Sequence, residues 1–403
     1  MPGTGAPPRA ARLSVAALFF LNGALFATWV SRIPAVQSKL GLNHGMLGLA
    51  LLCIALGALA AMPTAGWCVS RFGSHRVTQF TAALFCAALP LPVLAHGTMS
   101  FMVALFVFGA GHGSLDVAMN AQAVAIEERY GRPIMSSFHA LFSLGGLVGA
   151  ASGGFIAATG LAPLVHFSTT ATLLGVSAVL FAFPRLLDAT ASELAHLSIT
   201  PDPSEKRSSF AWPSRALLAL GIIAFCSMAG EGAMADWSAI FLHRIAGASE
   251  AAAAAGYAAF SIAMAIGRFH GDWLTMRLGP VNIVRISGAL AAGGLALALV
   301  LGKPMPALIG FAAVGAGFAT VVPQVFSAAG RTPGVSAGLS LATVTTVGYL
   351  GFLLGPPIIG LVAELLNLRT ALCIIVLTSA VLIALAPSVG QRETAEIDLG
   401  QEA

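Results

Sequence analysis

The chain has 403 residues, of which 57% are hydrophobic and only 9% charged, and its mean hydropathy is +0.88, whereas in a soluble domain about a quarter of residues carry charge. A pI near 9.0 does not indicate nucleic acid here, because the 20 basic residues are scattered through short loops instead of clustering on one surface. Strand-length alternation of apolar and polar residues is absent, which excludes an outer-membrane barrel and leaves a bundle of membrane helices.

At about 20 apolar residues per span, the runs divide into twelve helices, near 13–36, 44–69, 76–96, 99–127, 135–160, 163–184, 213–243, 251–275, 281–301, 305–329, 334–365 and 368–387. The first twelve residues read as a short Pro- and Arg-containing tail, with no cleavable signal peptide. A polar interval holding Pro201, Pro203 and the run Glu205-Lys206-Arg207 splits the helices six and six. The expected organisation is an N-terminal six-helix bundle (1–184), a cytoplasmic linker (185–212), a C-terminal six-helix bundle (213–387) and a cytoplasmic tail (388–403). The fold class is therefore an all-α membrane protein.

In the first span Asn22 lies at mid-depth, Trp29 near the outer end and Arg32 just beyond. Trp29 either stacks on a sugar ring or sits in the interfacial aromatic belt. Arg71 and Arg76 flank the turn between the second and third spans.

The fourth span carries GAGHGSLDVAMNAQ (109–122), in which His112, Asp116 and Asn120 recur every four residues and stack on one helix face. Gly109 and Gly113 leave room beside them for another backbone or a ligand. An ionisable group in hydrocarbon costs at least about 2.5–3.5 kcal/mol, so this face is expected to look into protein or a watery cavity. Asp116 is the candidate proton carrier, since a carboxylate that is neutral in one conformation and ionised in another is what coupling requires. The alternative is a carboxylate paired permanently to hold the bundle together. His112, with His139 in the fifth span, is a candidate relay on the solute path, because histidine changes charge near neutral pH; the other reading is a hydrogen-bonded core residue. Asn120, Gln122 and, in the tenth span, Gln324 are candidate partners of a polar solute or else interhelical ties. The run Glu127-Glu128-Arg129 reads as a solvated helix end.

In the seventh span Glu231 sits between glycines and is a second candidate proton carrier. Asp236, five residues on, is a candidate gate partner of Arg244 or Arg32, or a solvated helix end. Trp237 has the same two readings as Trp29. Arg268 and Asp272 in the eighth span join Arg71 and Arg76 as candidate gate residues at cytoplasmic helix ends. Gly348, Gly351 and Gly355 before Pro356 and Pro357, together with Gly145, Gly146, Gly149 and Gly153, read as machinery for rocking. The five Cys have no CxxC or metal spacing and read as small buried hydrophobes.

With the N-terminus inside, Lys and Arg divide fifteen to five in favour of the cytoplasmic side, placing both termini and the linker there. The halves also repeat. An offset of 206 carries Arg71-Phe72-Gly73 onto Arg277-Leu278-Gly279 and Gly109-Ala110-Gly111 onto Gly315-Ala316-Gly317. An offset of 202 carries Gly146, Gly149 and Gly153 onto Gly348, Gly351 and Gly355, and one of 209 carries Asn22 onto Glu231. Two parallel six-helix repeats predict a central cavity between them.

These features resemble the major facilitator superfamily over essentially the whole chain. The stretch GWCVSRFGSHRV (66–77) is similar to its cytoplasmic signature through Gly66, Arg71, Gly73 and Arg76, with Ser70 in place of the usual Asp. DVAMNAQAVAIEERYGRPIMSSFHALFSLGGLVGA (116–150) resembles the bacterial YbjJ-type branch, itself similar to proton-coupled fucose permeases. That resemblance implies a proton-linked substrate residue at Asp116, with Asn120 after it. It also implies that Asn22 and Glu231 face each other across the cavity. The permeases' second acid, in the first helix, has no counterpart here, so a two-acid scheme does not carry over.

The expected function is proton-coupled secondary transport by alternating access, moving a small polar, sugar-like solute across a bacterial inner membrane. The alternative is proton-linked efflux of a drug or metabolite, which would suit the many Phe residues. No Walker loop, metal-ligand cluster or reactive set is present, so no enzyme activity and no cofactor are expected. The expected partners are the solute, protons and the lipid bilayer, with no nucleic acid, and the chain is expected to be a monomer.

Overall fold

The computed structural model describes residues 8–42, 44–187, 214–248 and 255–390. Regular structure among them is helical throughout. Twelve long helices follow in chain order: α1 (Arg9–Ser31), α2 (His44–Phe72), α3 (Ser74–Leu94), α4 (Thr98–Tyr130), α5 (Met135–Ala158) and α6 (Pro163–Arg185), then α7 (Arg215–Arg244), α8 (Ala255–Leu278), α9 (Pro280–Leu301), α10 (Pro304–Gly330), α11 (Ala337–Leu365) and α12 (Leu368–Gly390). Eleven are long and apolar enough to cross a membrane. The other, α8, has 24 residues and includes Arg268, Asp272 and Arg277. Residues 1–7, 43, 188–213 (with most of the expected linker), 249–254 and the tail from 391 lie outside the described residues.

The chain divides into two compact units, residues 1–208 with 330–343, and residues 209–329 with 344–403. Residues 330–343 thus join the first unit, although the sequence places them in the second half. In the first unit α5 packs along α1, and α2 and α3 pack along α4; in the second, α8 and α9 pack along α10. Interior positions dominate α1 and α4 (61% and 72% of the apolar window buried) and α7 and α10 (72% and 61%), so the first and fourth helix of each half form its centre. Those four helices carry every mid-depth polar candidate except His139 and Arg268.

Helix ends follow from local chemistry. Gly73 between α2 and α3 and Gly279 between α8 and α9 have φ of +82° and +76°, a region that favours glycine, at positions related by the 206 offset. Asn367 caps α12 by accepting from the Thr370 N–H at 2.9 Å, and Ser214 caps α7 through Leu217 N–H at 3.3 Å.

The repeat is also visible in packing. A side chain at Gly109 would run into the Ile54 carbonyl on α2, and one at Gly315 into the Phe260 carbonyl on α8, so both partners of this contact are shifted by 206. Gly111 against Phe85 and Gly317 against Ala291 repeat by the same shift. Gly113 lies on Ala58. Backbone, not ligand, therefore fills the room beside the fourth-helix polar face.

The glycines of α5 and α11 are likewise intra-unit contacts. Gly145 and Gly149 seat on Phe20 and Ala24 of α1, and Gly351 and Gly355 on Phe225 and Ala229 of α7. These contacts fasten helix pairs inside one half. Of the cysteines, Cys86 and Cys226 are buried as expected, but Cys373 is exposed on the outside of α12.

Candidate functional site

The first unit brings Asn22, His112, Asp116 and Asn120 together. Asn22 on α1 is fully buried and its carbonyl oxygen lies 2.9 Å from His112 Nδ1 on α4. Its amide nitrogen points at Met119 Sδ, 3.7 Å away. The His112 ring is wedged between Phe26 and Phe85, with centroids at 4.9 and 5.4 Å. One turn on, Asp116 is buried, and its Oδ1 accepts from Asn120 Nδ2 at 3.1 Å; the same nitrogen donates to the Asp116 backbone carbonyl at 2.9 Å. Asn120 Oδ1 is buried and accepts no hydrogen bond.

This geometry can accommodate both charge states of Asp116. A carboxylate only accepts, whereas a carboxylic acid also donates one hydrogen bond. The idle carboxamide oxygen of Asn120 is an acceptor that a protonated Asp116 would reach by a half-turn of the amide. Among the described residues no cation is bonded to Asp116.

The second unit holds a different arrangement. Glu231 on α7 and Arg268 on α8 form an ion pair, Oε2 to Nη2, at 3.6 Å. Arg268 stands ten residues before the last residue of α8, Leu278, and so at mid-depth, not at a cytoplasmic helix end as the sequence reading had it. Asp272, one turn later, is half-buried.

Several candidates sit elsewhere. Trp29 is fully buried among Phe101, Phe108 and Phe167, at centroid distances of 6.0–6.2 Å, so it neither lines a solute path nor reaches an interfacial belt. Trp237 lies half-buried against Gly360. His139 is buried with its ring edge-on to Phe19. Arg32 is buried and donates to the Leu161 carbonyl in the turn after α5. That contact corrects its pairing with Asp236, which is exposed and has no ion pair among the described residues. Arg71 and Arg76 are exposed at the ends of α2 and α3.

The two glutamines are helix ties. Gln122 donates to Ser74 Oγ at 2.8 Å, and its side chain pairs with both backbone groups of Leu187, donating to the carbonyl at 2.9 Å and accepting from the N–H at 3.1 Å. Gln324 donates to Thr275 Oγ1 at 2.8 Å. Both amide atoms of Gln122 and the amide nitrogen of Gln324 are thus engaged by the fold.

Glu127 is the residue that sequence reasoning missed. Far from being solvated, it is 4% exposed; its Oε2 accepts from the Ile134 and Met135 N–H groups at 2.9 and 2.8 Å, and its Oε1 from Arg331 at 2.9 Å. It caps the start of α5 from the end of α4. The available signal was an acid seven residues before a helix start.

The sequence profile of the Major Facilitator Superfamily matches residues 15–351. An uncharacterised transporter, y4wD, of Sinorhizobium fredii is 40% identical over 94% of this chain and 97% of its own length. An uncharacterised MFS-type transporter of Yersinia pestis is 38% identical over 89% of this chain and 91% of its own. Among solved structures, the E. coli fucose:proton symporter FucP is similar in fold, with a TM-score of 0.74 at 18% identity, covering 95% of this chain and 99% of that one. Two units of repeated helix packing and a profile spanning most of the length agree with these relatives, and the chain belongs to the Major Facilitator Superfamily.

Proposed function

We propose that the protein is a proton-coupled secondary transporter that moves a small polar, sugar-like solute by alternating access across a bacterial inner membrane, with both termini cytoplasmic. Membership of the superfamily supplies transport of a small molecule. The coupling assignment is carried by Asp116, a buried mid-helix acid whose bonded partner is a neutral amide. An interior acid of this kind in a membrane helix is a functional residue by default, and the adjacent Asn22–His112 pair makes the surroundings polar. The fold likeness to a fucose:proton symporter points the same way. The buried phenylalanines Phe85, Phe101, Phe108 and Phe167 pack against Trp29, His112 and one another, which favours a polar solute over the drug-efflux alternative.

The test is Asp116→Asn in proteoliposomes under an imposed inward pH gradient. Accumulation against a solute gradient is expected to disappear while solute exchange without a gradient survives. Unchanged gradient-driven accumulation would remove Asp116 from the coupling step.

A further inference from the structure

We propose that the groove between α3 and α6 holds one acyl chain of an anionic phospholipid, whose phosphate rests on Arg76 and Arg185 at the mouth of the groove. The inference goes beyond the transport reading and lies wholly within the first unit.

The groove comes from residue size. Small side chains line both helices where they face each other, Ala83, Cys86 and Ala87 on α3 and Ala171, Gly175 and Ala178 on α6. The helices nevertheless stand apart: a methyl group placed on Gly175 would have Cys86 Sγ as its nearest neighbour, at 3.6 Å, an ordinary contact distance. Between them lies an open groove of about 530 Å³, whose walls are apolar apart from Ser168 and Thr172. It runs about 12 Å along α3, from Ala82 to Pro90, and about 20 Å along α6, from Ser168 to Phe183. One leaflet of hydrocarbon is about 15 Å deep, half of the ~30 Å core, so the groove has the length of a single lipid chain. A π turn at Ala178–Ala182 shapes its wall, a departure from α geometry that is frequent at functional sites. The exposed Val179 and Leu180 of that turn border the groove.

The charges sit at one end. Gln79, near the start of α3, lies 2.9 Å from His75 Nε2 and donates to the Phe183 carbonyl at 3.4 Å, which joins the start of α3 to the end of α6. Phe183 closes the groove there. Arg76 stands seven residues before Ala83, two helical turns along the same face, and Arg185 stands two residues after Phe183. Both are exposed, and neither pairs with an acid among the described residues. Arg185 donates from Nη1 to the Phe181 carbonyl at 2.7 Å, which holds its guanidinium beside the groove end. Basic side chains between membrane helices at the headgroup layer are a setting for anionic lipid phosphates, and a guanidinium takes a phosphate through two parallel N–H groups. Trough and mouth therefore match the two parts of one molecule. A zwitterionic lipid would fill the trough but bring its own cation to the mouth, and a free phosphate would leave the trough empty.

The experiment uses the full chain in detergent, titrated with matched compounds and read by native mass spectrometry and by the unfolding temperature. Dioleoyl phosphatidylglycerol is compared with dioleoyl phosphatidylcholine, which has the same chains and no net charge, and with glycerol 3-phosphate, which has the phosphate and no chains. Phosphatidylglycerol is expected to bind about tenfold more tightly than phosphatidylcholine and to raise the unfolding temperature, and glycerol 3-phosphate to do neither. Ala83→Phe fills the groove from an exposed position, and Arg76→Gln with Arg185→Gln discharges its mouth. Each change should weaken phosphatidylglycerol by about tenfold. Phosphatidylglycerol with a photoreactive diazirine in its acyl chain should cross-link to peptides of α3 and α6. Equal binding of the two lipids, equal stabilisation by glycerol 3-phosphate, an unchanged affinity in either variant, or cross-links confined to other helices overturns the proposal. The matched compounds and the cross-links on the unaltered chain decide the question even if a variant does not fold.

Discussion

At the scale of single residues, Glu127 shows how a charged run can conceal a structural anchor. The N-cap position of α5 is Ile134, which has no side chain able to accept from the first N–H groups of that helix. Glu127 supplies the acceptor from the preceding helix, and a negative charge there also suits the positive end of the α5 dipole. Glu127→Ala leaves two buried N–H groups and Arg331 without their acceptor, at about 1–3 kcal/mol for each group left unpaired. A lower denaturation midpoint in detergent is expected, with Glu127→Gln falling between the variant and the parent because the amide keeps one acceptor oxygen. A midpoint unchanged in Glu127→Ala would mean the run is solvated after all. The sequence identified Asp116 and Glu231 as unusual because hydrocarbon makes any charge conspicuous, but it placed Arg268 at a cytoplasmic helix end. It could not say that Glu231 answers Arg268, since that pairing is between helices and leaves no mark in local spacing.

At the scale of helices, the polar candidates divide according to what lies opposite them. Gln122 reaches the Ser74 hydroxyl on α3 and Gln324 the Thr275 hydroxyl on α8, so each ties neighbouring helices within its own unit. Helix existence was legible from apolar run length. Helix partnership was legible only where small residues recur at one offset. The contacts of Gly109 with Ile54 and Gly315 with Phe260 are the sharpest case, because a methyl group at either glycine would collide with a backbone carbonyl that cannot move aside. Gly109→Ala and Gly315→Ala are therefore each expected to cost about 1–3 kcal/mol, the usual cost of overpacking. Because the two sites lie in different units, their effects should add. Comparison of the midpoints of both single variants and the double variant measures this, and a neutral result at either site would show that the helix pair has slack.

At the scale of the whole molecule, the two units and their repeat were readable from offsets, and the distribution of Lys and Arg sets an expected orientation. The structure alters that count in one place: Arg268 lies at mid-depth and leaves the loops, so fourteen basic residues remain on the expected cytoplasmic side against five opposite. Two of those five have a structural reason to be where they are. Arg32 donates to the Leu161 carbonyl and Lys39 to the Val93 carbonyl, each satisfying an acceptor near a helix end inside the first unit. Such charges serve as caps and so weaken the case for orientation less than their number suggests. The bias consequently grows stronger once these contacts are recognised, and it predicts a single topology. A green fluorescent protein fused after Ala403 should fluoresce and alkaline phosphatase fused at that position should be inactive, while phosphatase inserted at Lys303, between α9 and α10, should be active. An active phosphatase at the C-terminus would invert the orientation, and would require the Gly73 and Gly279 turns, with their flanking Arg71, Arg76 and Arg277, to face the outer side.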